Sequence, residues 1–308
     1  MAPQIAKPRG VFDDYERTMR KQFIKTIENL ISHEDNLVLL LGDIGIFGFK
    51  NSFEKYPNRV FNIGILEQST ISLSSGMSSI GLIPVVHTIA PFLVERSLEQ
   101  LKIDFGYQGY NGNFVSIGSS YDYAGLGPTH HCPGDIQQLL TIPNMEIIIP
   151  GTSKEFDSLF KESFNNGKPT YFRLSEYENK VDYEVKFGKG NLIKKGKMAT
   201  IICVGNMLDN IMLATEDIDV TILYYTSIKP FDSELLLENF NENIILIEPY
   251  YEGGLNYQIN KSLVNKKYKL TNIGIPHNFL LNYGSKLQHD KNLNLDSEGL
   301  RKKILLCL

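Results

Sequence analysis

Several side chains that could do chemistry fall beside apolar segments of this sequence. Asp43 follows the apolar run 37–41, Glu67 opens an otherwise apolar helical segment, and His130 and His131 follow a glycine-rich stretch. A carboxyl at an apolar helix start is partly desolvated, which suits it to share a proton with a ring nitrogen. The alternative is that Glu67 is an ordinary acidic residue favoured by the helix dipole. Adjacent histidines of an extended segment point to opposite sides, so both cannot enter one pocket.

Apolar runs and helical patterns alternate along the chain, which predicts an α/β protein with parallel strands and crossover helices. In the first part, the predicted strands are 37–41, 82–87, 114–117, 146–149 and 170–173, and the predicted helices are 15–31, 66–80, 93–105, 134–141 and 154–164. In the second part, the predicted strands are 199–204, 220–224, 244–247 and 270–273, and the predicted helices are 207–215, 233–240, 255–264 and 297–306. A charged, glycine-containing stretch separates the two patterns. We therefore expect a first domain at 12–178, a linker at 179–195 and a second domain at 196–308.

Composition excludes several classes of protein. The sequence has 308 residues, a net charge of −4 and three widely separated cysteines. It lacks the basic field of a nucleic-acid-binding protein and the cysteine spacing of a disulfide framework or zinc site. The first residues lack the apolar core of a signal peptide, and the apolar stretch 80–94 contains two prolines and is too short for a bilayer. We expect a cytoplasmic protein that binds neither nucleic acid nor membrane.

Four motifs occur in order in the first domain. They are Gly-Asp-Ile-Gly at 42–45, Arg-Val-Phe-Asn-Ile-Gly-Ile-Leu-Glu-Gln at 59–68, the segment 84–100, and Gly-Pro-Thr-His at 127–130. Together they resemble the pyrimidine-binding domain of the transketolase family of thiamine-diphosphate enzymes. The second domain resembles the family's C-terminal domain through 247–255 and 295–300. This resemblance implies a mostly parallel sheet flanked by helices, followed by a smaller α/β domain.

The resemblance also implies roles for residues on the cofactor side. Glu67 would hydrogen-bond N1′ of the aminopyrimidine of thiamine diphosphate, which needs a carboxyl able to hold or share a proton. Phe92 would stack on the pyrimidine, with Ile89 beside it, although packing in the core is the simpler role for a phenylalanine. Asp43 and Ile65 would lie near the cofactor, with Asp43 across a subunit interface.

On the substrate side, the resemblance places His130 in the channel as a hydrogen-bond donor or proton shuttle. The other candidates for contact with a sugar or sugar-derived substrate are His87, Arg96, Arg173 and Tyr121.

Three positions depart from the family pattern, all on the substrate side. Leu126 stands where transketolases usually have a hydroxyl-reading aspartate, and Gly118 stands where sugar-phosphate enzymes have a histidine. Glu176 replaces a second arginine that usually holds phosphate, which reverses the charge facing a dianion. We expect a remodelled acceptor pocket, for which Arg173, Arg96 or Tyr121 could compensate.

The sequence contains no Gly-Asp-Gly motif, which in the family helps to hold Mg²⁺ and, through it, the cofactor's diphosphate. We therefore expect no metal site in this chain and a partner subunit that carries the diphosphate-binding domain and Mg²⁺, in an α2β2 assembly.

Three interpretations of the function remain open at this point. The leading one is the C-terminal, or β, subunit of a split transketolase-type enzyme. The second is the β subunit of an enzyme resembling 2-oxo-acid dehydrogenase or deoxyxylulose-phosphate synthase, supported by the stretch 42–48. The third is a non-catalytic structural or regulatory subunit, against which the presence of Glu67 argues.

Overall fold

The computed structural model describes residues 7–8 and 18–308. The expected domain start at residue 12 and the first residues of the expected helix, 15–17, lie outside this described part. The elements up to residue 182 are β1 (Lys7–Pro8), α1 (Met19–Ile31), β2 (Leu37–Leu41), α2 (Lys50–Lys55), β3 (Val60–Asn62), α3 (Glu67–Ser79), β4 (Ile83–Ile89), α4 (Ala90–Leu93), α5 (Leu98–Gln100), a π-helix (Leu101–Tyr107), β5 (Gly112–Ile117), a 3₁₀-helix (Ala124–Thr129), α6 (Asp135–Leu140), β6 (Glu146–Ile148), α7 (Ser153–Ser163), β7 (Pro169–Arg173) and β8 (Val181–Asp182).

The second part of the chain repeats the alternation of strands and helices. Its elements are β9 (Gly190–Lys194), β10 (Thr200–Val204), a 3₁₀-helix (Gly205–Met207), α8 (Leu208–Ala214), β11 (Thr221–Tyr225), β12 (Ser227–Lys229), α9 (Ser233–Asn239), β13 (Asn243–Tyr251), α10 (Asn256–Ser262), β14 (Lys269–Ile275), α11 (Lys286–Leu293) and α12 (Ser297–Cys307). No helix in the described part is long and apolar enough to cross a membrane.

Two mostly parallel sheets organise these elements, which confirms the predicted fold class. The first has the order β12-β6-β7-β5-β4-β2-β3 and the second has the order β14-β13-β10-β11-β9. The first sheet is parallel except for β12, which comes from the second part of the chain and pairs antiparallel with β6. The second part of the chain therefore completes one edge of the first sheet.

Helices cover both faces of the first sheet, and the sequence of β2 shows why. Leu37, Leu39 and Leu41 lie in the same apolar cluster as residues of α1 and α7, whereas Val38 and Leu40 lie in the cluster that includes Ile71 of α3. A strand that is buried on both faces reads as an uninterrupted apolar run instead of an alternating one.

Two parts of the chain differ from the sequence predictions. The stretch expected to be a linker, 179–195, contains β8, which pairs with β1, and β9, which joins the second sheet antiparallel to β11. The helix expected at 93–105 is divided into α4, α5 and the π-helix, with residues 94–97 between the first two. Residues 94–97 follow directly after a short helix that starts with Ala90 and Pro91, and they include Arg96.

The strands β2, β3 and β4 end at the same edge of the first sheet. Leu41 at the end of β2 pairs with Asn62 of β3 on one side and with His87 of β4 on the other. Because ligands of open α/β sheets bind at the carboxyl ends of the strands, the loops that follow these three strands form the candidate site.

His87 lies inside this sheet and does not face a cleft. Its side chain is fully buried, its Nδ1 is 2.8 Å from the Val115 carbonyl oxygen, and its ring centre is 4.5 Å from that of Phe23. Burial lowers the pKa of His87 from 6.5 to about 4, against the opposing effect of the hydrogen bond with Val115. The structure thus corrects the expectation of a substrate-facing His87 and places this residue in the core.

We expect this buried imidazole to make the protein less stable in acid. The unfolded chain takes up a proton below pH 6.5 while the folded chain resists it down to about pH 4. Stability from this group is therefore complete above pH 6.5 and is lost as the pH falls towards 4, by about 3 kcal/mol in total. Denaturant unfolding from pH 7.5 to 4 should show a flatter pH dependence for His87→Gln than for the wild type. His33→Gln, which changes an exposed histidine, is the control, and parallel curves for wild type and His87→Gln would refute the prediction.

Candidate active site

Glu67 is the first residue of α3, and the preceding loop fixes its position. Ile63 continues the pairing of β3 by donating its backbone N–H to the Leu41 carbonyl at 2.9 Å. Gly64 then adopts a positive φ of 82°, and its N–H donates to Asn62 Oδ1 at 3.2 Å. This left-handed residue turns the chain from the strand into the helix, at a position where glycine has no steric cost. The turn brings the Glu67 side chain to the inner face of α3.

The carboxyl of Glu67 is buried and only half satisfied. The residue is 4% exposed, and Oε2 accepts a hydrogen bond from a guanidinium N–H of Arg96 at 2.7 Å. The other oxygen, Oε1, is buried and has no hydrogen-bond partner in the described structure. A buried carboxyl oxygen without a partner carries a desolvation cost, so this atom is available to a ligand that can hydrogen-bond to it.

Two aromatic rings extend the site from Arg96 towards the loop after β5. The Arg96 guanidinium lies 4.2 Å from the centre of the Phe92 ring, within the range of a cation–π contact. The rings of Phe92 and His130 meet edge to face, with 5.4 Å between their centres. His130 Nδ1 is 3.0 Å from the Thr129 hydroxyl oxygen. The structure thus brings together Glu67, Phe92, Arg96 and His130, which come from three separate motifs of the sequence.

The adjacent His131 packs elsewhere, although His130 ends a 3₁₀-helix with φ −120° and ψ −4° and is not part of the extended segment that we expected. It is 6% exposed, and its ring packs against that of His289 with 5.7 Å between centres. Burial lowers the pKa of His131, and the neighbouring His289 lowers it further. Only His130 therefore belongs to the cluster around Phe92.

Asp43 lies at the same edge of the sheet, in the loop after β2. It has a positive φ of 59°, and its backbone N–H donates to Asn62 Oδ1 at 3.1 Å. The Asn62 amide in turn donates to Asp43 Oδ1 at 3.2 Å. Asn62, which sequence reasoning did not select, therefore ties the loop of Asp43 to the Gly64 turn that precedes Glu67. The two apolar candidates flank this region, with Ile89 half-buried before α4 and Ile65 66% exposed beside Glu67.

The donors and surfaces of this cluster fit an aminopyrimidine. Glu67 Oε1 has no hydrogen-bond partner among the described residues, and the Phe92 ring lies against the Arg96 guanidinium that is bonded to the same carboxyl. Such a pairing of a buried carboxyl with an aromatic face matches the contacts that the pyrimidine of thiamine diphosphate requires. In the described part of the chain, no group of three or more His, Cys, Asp or Glu side chains could hold a metal ion.

Two further substrate candidates are occupied by internal contacts. Arg173 is 2% exposed, and its Nε donates to Asp135 Oδ2 at 2.7 Å. Tyr121 is 3% exposed, and its hydroxyl donates to Asp290 Oδ1 at 2.7 Å. Both side chains are enclosed and bonded within the protein, so neither is placed for the substrate contact that the resemblance implied. Of the substrate candidates, Arg96 and His130 are not buried.

The positions that depart from the family pattern lie on the loop after β5 and beside it. Leu126 is 54% exposed. Gly118 has a positive φ of 79°, and a Cβ there would lie 2.2 Å from the Tyr123 ring, so this position excludes a histidine side chain. Glu176 accepts a hydrogen bond from the Tyr123 hydroxyl at 3.2 Å. The Glu176 carboxylate therefore has a hydrogen-bond partner within the protein.

A cation that sequence reasoning missed lies near this loop. Lys286 at the start of α11 donates to Asp290 Oδ2 at 2.6 Å, and its Nζ is 5.1 Å from the centre of the Tyr177 ring. Burial raises the pKa of nearby Asp122 to about 6, while the positive charge of Lys286 acts in the opposite direction. The helix start itself has a sequence signal, because Ser285 and Gln288 form a capping box.

Comparison with known proteins gives the same assignment for both halves of the chain. Residues 16–180 match the family described as "Transketolase, pyrimidine binding domain", and residues 188–298 match "Transketolase, C-terminal domain". A protein of Rhodococcoides fascians, described as an "Uncharacterized 33.6 kDa protein in fasciation locus", is 36% identical over 287 residues, which cover 92% of each chain. A subunit of the apulose-4-phosphate transketolase of Phocaeicola vulgatus is 30% identical over 301 residues, covering 93% of this chain and 96% of that protein.

A solved structure has the same fold. The chain titled "Split gene transketolase, inactive beta4 tetramer" superposes with a TM-score of 0.81 and 23% sequence identity, over 95% of this chain and 98% of that one. Together with the family matches over both domains and the relatives of similar length, this confirms the resemblance identified from the four motifs. The chain belongs to the transketolase family, as a pyrimidine-binding domain followed by a transketolase C-terminal domain.

Proposed function

We propose that this chain is the C-terminal, or β, subunit of a split transketolase-type enzyme that transfers a two-carbon ketol unit between sugars. The observation that carries the proposal is the buried Glu67 carboxyl. Its Oε1 has no hydrogen-bond partner among the described residues, and its Oε2 is bonded to Arg96, which lies over the Phe92 ring. The relative from Phocaeicola vulgatus, a transketolase subunit of similar length, supports the same assignment.

Thiamine diphosphate would supply the nucleophilic carbon that takes up and releases the two-carbon unit. Within this chain, Glu67 would hold a shared proton against the pyrimidine ring nitrogen through Oε1. Phe92 would support the ring face, and Ile89 and Ile65 would exclude water from its edge. His130 would donate a hydrogen bond to the substrate from the other side of the Phe92 ring.

Substitution of Glu67 by glutamine should abolish most of the activity of the enzyme assembled with its diphosphate-binding partner. The amide keeps the shape of the side chain but cannot hold the shared proton, so kcat should fall by about 100-fold or more. The measurement is ketol transfer at saturating thiamine diphosphate and Mg²⁺. Glu99→Gln, a change of an exposed glutamate on the neighbouring α5, should leave kcat within about twofold.

The same assay distinguishes the proposed function from the two alternative functions. A rate that Glu67→Gln does not affect would support a non-catalytic subunit. Turnover with a 2-oxo-acid donor, and none with a ketose donor, would favour the enzyme resembling 2-oxo-acid dehydrogenase or deoxyxylulose-phosphate synthase.

We further propose that the acceptor pocket is remodelled to disfavour a phosphorylated acceptor. Glu176 brings negative charge to a position where a phosphate-binding arginine is usual, and Arg173 is bound to Asp135 and does not compensate. A carboxylate that faces a dianion repels it, and the charge-assisted hydrogen bonds of an arginine are lost.

Ribose 5-phosphate should therefore be a poor acceptor, and Glu176→Arg should improve its use. Restoring a charge-assisted contact should raise kcat/KM for ribose 5-phosphate by about tenfold, mainly through KM. Glu184→Arg makes the same charge change at an exposed position and serves as the control. Wild-type turnover of ribose 5-phosphate at the level of an ordinary transketolase would contradict the proposal.

The proposed enzyme needs a second subunit for the diphosphate half of its cofactor. The sequence has no Gly-Asp-Gly motif, so we propose that the partner holds Mg²⁺ and the diphosphate, in an α2β2 assembly. Exposed apolar side chains lie at the carboxyl edge of the first sheet, where Phe47 is 98%, Ile65 66% and Leu66 57% exposed. Such a patch beside an incomplete site fits a protein interface.

Placing a charge in this patch should prevent assembly. Phe47→Asp should weaken association with the diphosphate-binding subunit by about tenfold or more, because a carboxylate would be buried without a partner. Analytical ultracentrifugation of the mixed subunits would measure the change. Val264→Asp, which alters another exposed apolar residue in the second domain, is the matched control. Equal association of the two variants would exclude this patch as the interface.

A further inference from the structure

One side chain covers both of the groups proposed to bind the aminopyrimidine. The Arg96 guanidinium donates to Glu67 Oε2 at 2.7 Å and lies 4.2 Å from the centre of the Phe92 ring. We call the Glu67 carboxyl and the adjoining face of Phe92 the pyrimidine seat. A guanidinium resembles an aminopyrimidine in the features that this seat selects, since it is planar, donates N–H groups at its edge and stacks on aromatic faces.

We infer that Arg96 occupies the pyrimidine seat in the cofactor-free chain and must leave it when thiamine diphosphate binds. This inference rests on the proposed function, because it takes the seat to be the site of the cofactor. In this view Arg96 competes with the cofactor for the face of Phe92 while it neutralises the carboxyl through Oε2.

The two partners of the ion pair differ in their freedom to move. The side chain of Glu67 is 3% exposed, whereas that of Arg96 is 42% exposed. Glu67 is fixed at the start of α3, so the exposed guanidinium is the group that can leave. An ion pair with one such exposed partner is weak, which keeps the exchange inexpensive.

The backbone at Arg96 is fixed, so the exchange needs only a side-chain movement. The Arg96 N–H donates to the Pro91 carbonyl at 3.1 Å, and the neighbouring Ser97 hydroxyl donates to the Phe92 carbonyl at 3.4 Å. These bonds hold the segment between α4 and α5 against Phe92. Once the ion pair with Glu67 has opened, rotation of the exposed side chain takes nanoseconds or less and would not limit cofactor binding.

The contact with Arg96 also explains how the Glu67 carboxyl can stay buried in the absence of a ligand. A buried carboxylate with no cation beside it would carry a large desolvation cost, and Arg96 removes part of this cost at Oε2. Oε1 remains without a hydrogen-bond partner among residues 18–308. Arg96 therefore stabilises the empty seat without satisfying it completely.

Removal of the guanidinium should make the cofactor bind more tightly. In the enzyme assembled with its diphosphate-binding subunit, Arg96→Met keeps the unbranched stem but loses the charge and the stacking group. Isothermal titration with thiamine diphosphate at fixed Mg²⁺ should show a Kd about three- to tenfold lower than that of the wild type. An unchanged or higher Kd would overturn the inference.

Arg59 provides a matched control for this experiment. It also lies over an aromatic ring, 4.8 Å from the centre of Tyr56, and it donates to the Glu34 carbonyl oxygen at 2.9 Å. Arg59→Met removes the same groups away from the seat and should leave the Kd unchanged. A lower Kd in both variants would show a general effect of net charge and would count against a role of the seat.

A second measurement detects the contact directly in the full chain without cofactor. Nitrogen NMR of the arginine side chains should show slow rotation of the Arg96 guanidinium, which Glu67→Gln should accelerate. Free rotation of Arg96 in the wild type would overturn the inference. The proposed function fails separately, when Glu67→Gln retains full activity in the assembled enzyme.

Discussion

The site depends on the carboxyl of Glu67, which is buried at the start of α3. One of its oxygens is bonded to Arg96, and the other has no hydrogen-bond partner in the part of the chain that the structure describes. An unpartnered buried polar atom costs about 1–3 kcal/mol of stability. Glu67 stays buried despite this cost because its position is set by the pairing of β3 with β2 and by the Gly64 turn, and not by the contacts of the carboxyl itself. A group from outside the chain that bonded to Oε1 would recover the lost interaction. In the proposed enzyme, this recovery contributes to cofactor affinity.

The second domain also acts on the site, through the loop that carries His130. Tyr283, which precedes α11, packs against Gly127, where a Cβ would lie 2.6 Å from the tyrosine ring. The Gly127 carbonyl accepts the backbone N–H of His130 at 3.0 Å. On the other side of the loop, the Ser120 hydroxyl donates to the Pro249 carbonyl, and Arg173 donates to the same hydroxyl. The two domains therefore hold this loop from both ends, and the direction of His130 depends on both.

The sequence was enough to predict the two α/β patterns, because these follow from apolar runs and helical periods. The four residues of the cluster were each named through the resemblance to the family, Arg96 and His130 as candidates for the substrate side. The sequence could not show that Arg96 contacts Glu67, since the two lie 29 residues apart and meet only through the break between α4 and α5. Nor could it reveal that His87 and Arg173 are enclosed, because a polar residue in a buried strand has the same local pattern as one at a strand end. Short elements such as β3 and α2 have too few residues for a period to appear.

The cofactor side and the acceptor side of the proposed enzyme are built by different kinds of contact. Glu67 and Phe92 sit on helices that follow strands of the first sheet, so their positions change only if the sheet changes. Leu126 lies in the 3₁₀-helix Ala124–Thr129 and Glu176 lies in the loop after β7, so both are outside the strands of the first sheet. A loop residue can change in size or charge at little cost in stability. A change at the edge of the sheet would instead expose a buried group or leave it without a hydrogen-bond partner. In the proposed enzyme, this difference would allow the cofactor residues of the family to be combined with a remodelled acceptor pocket.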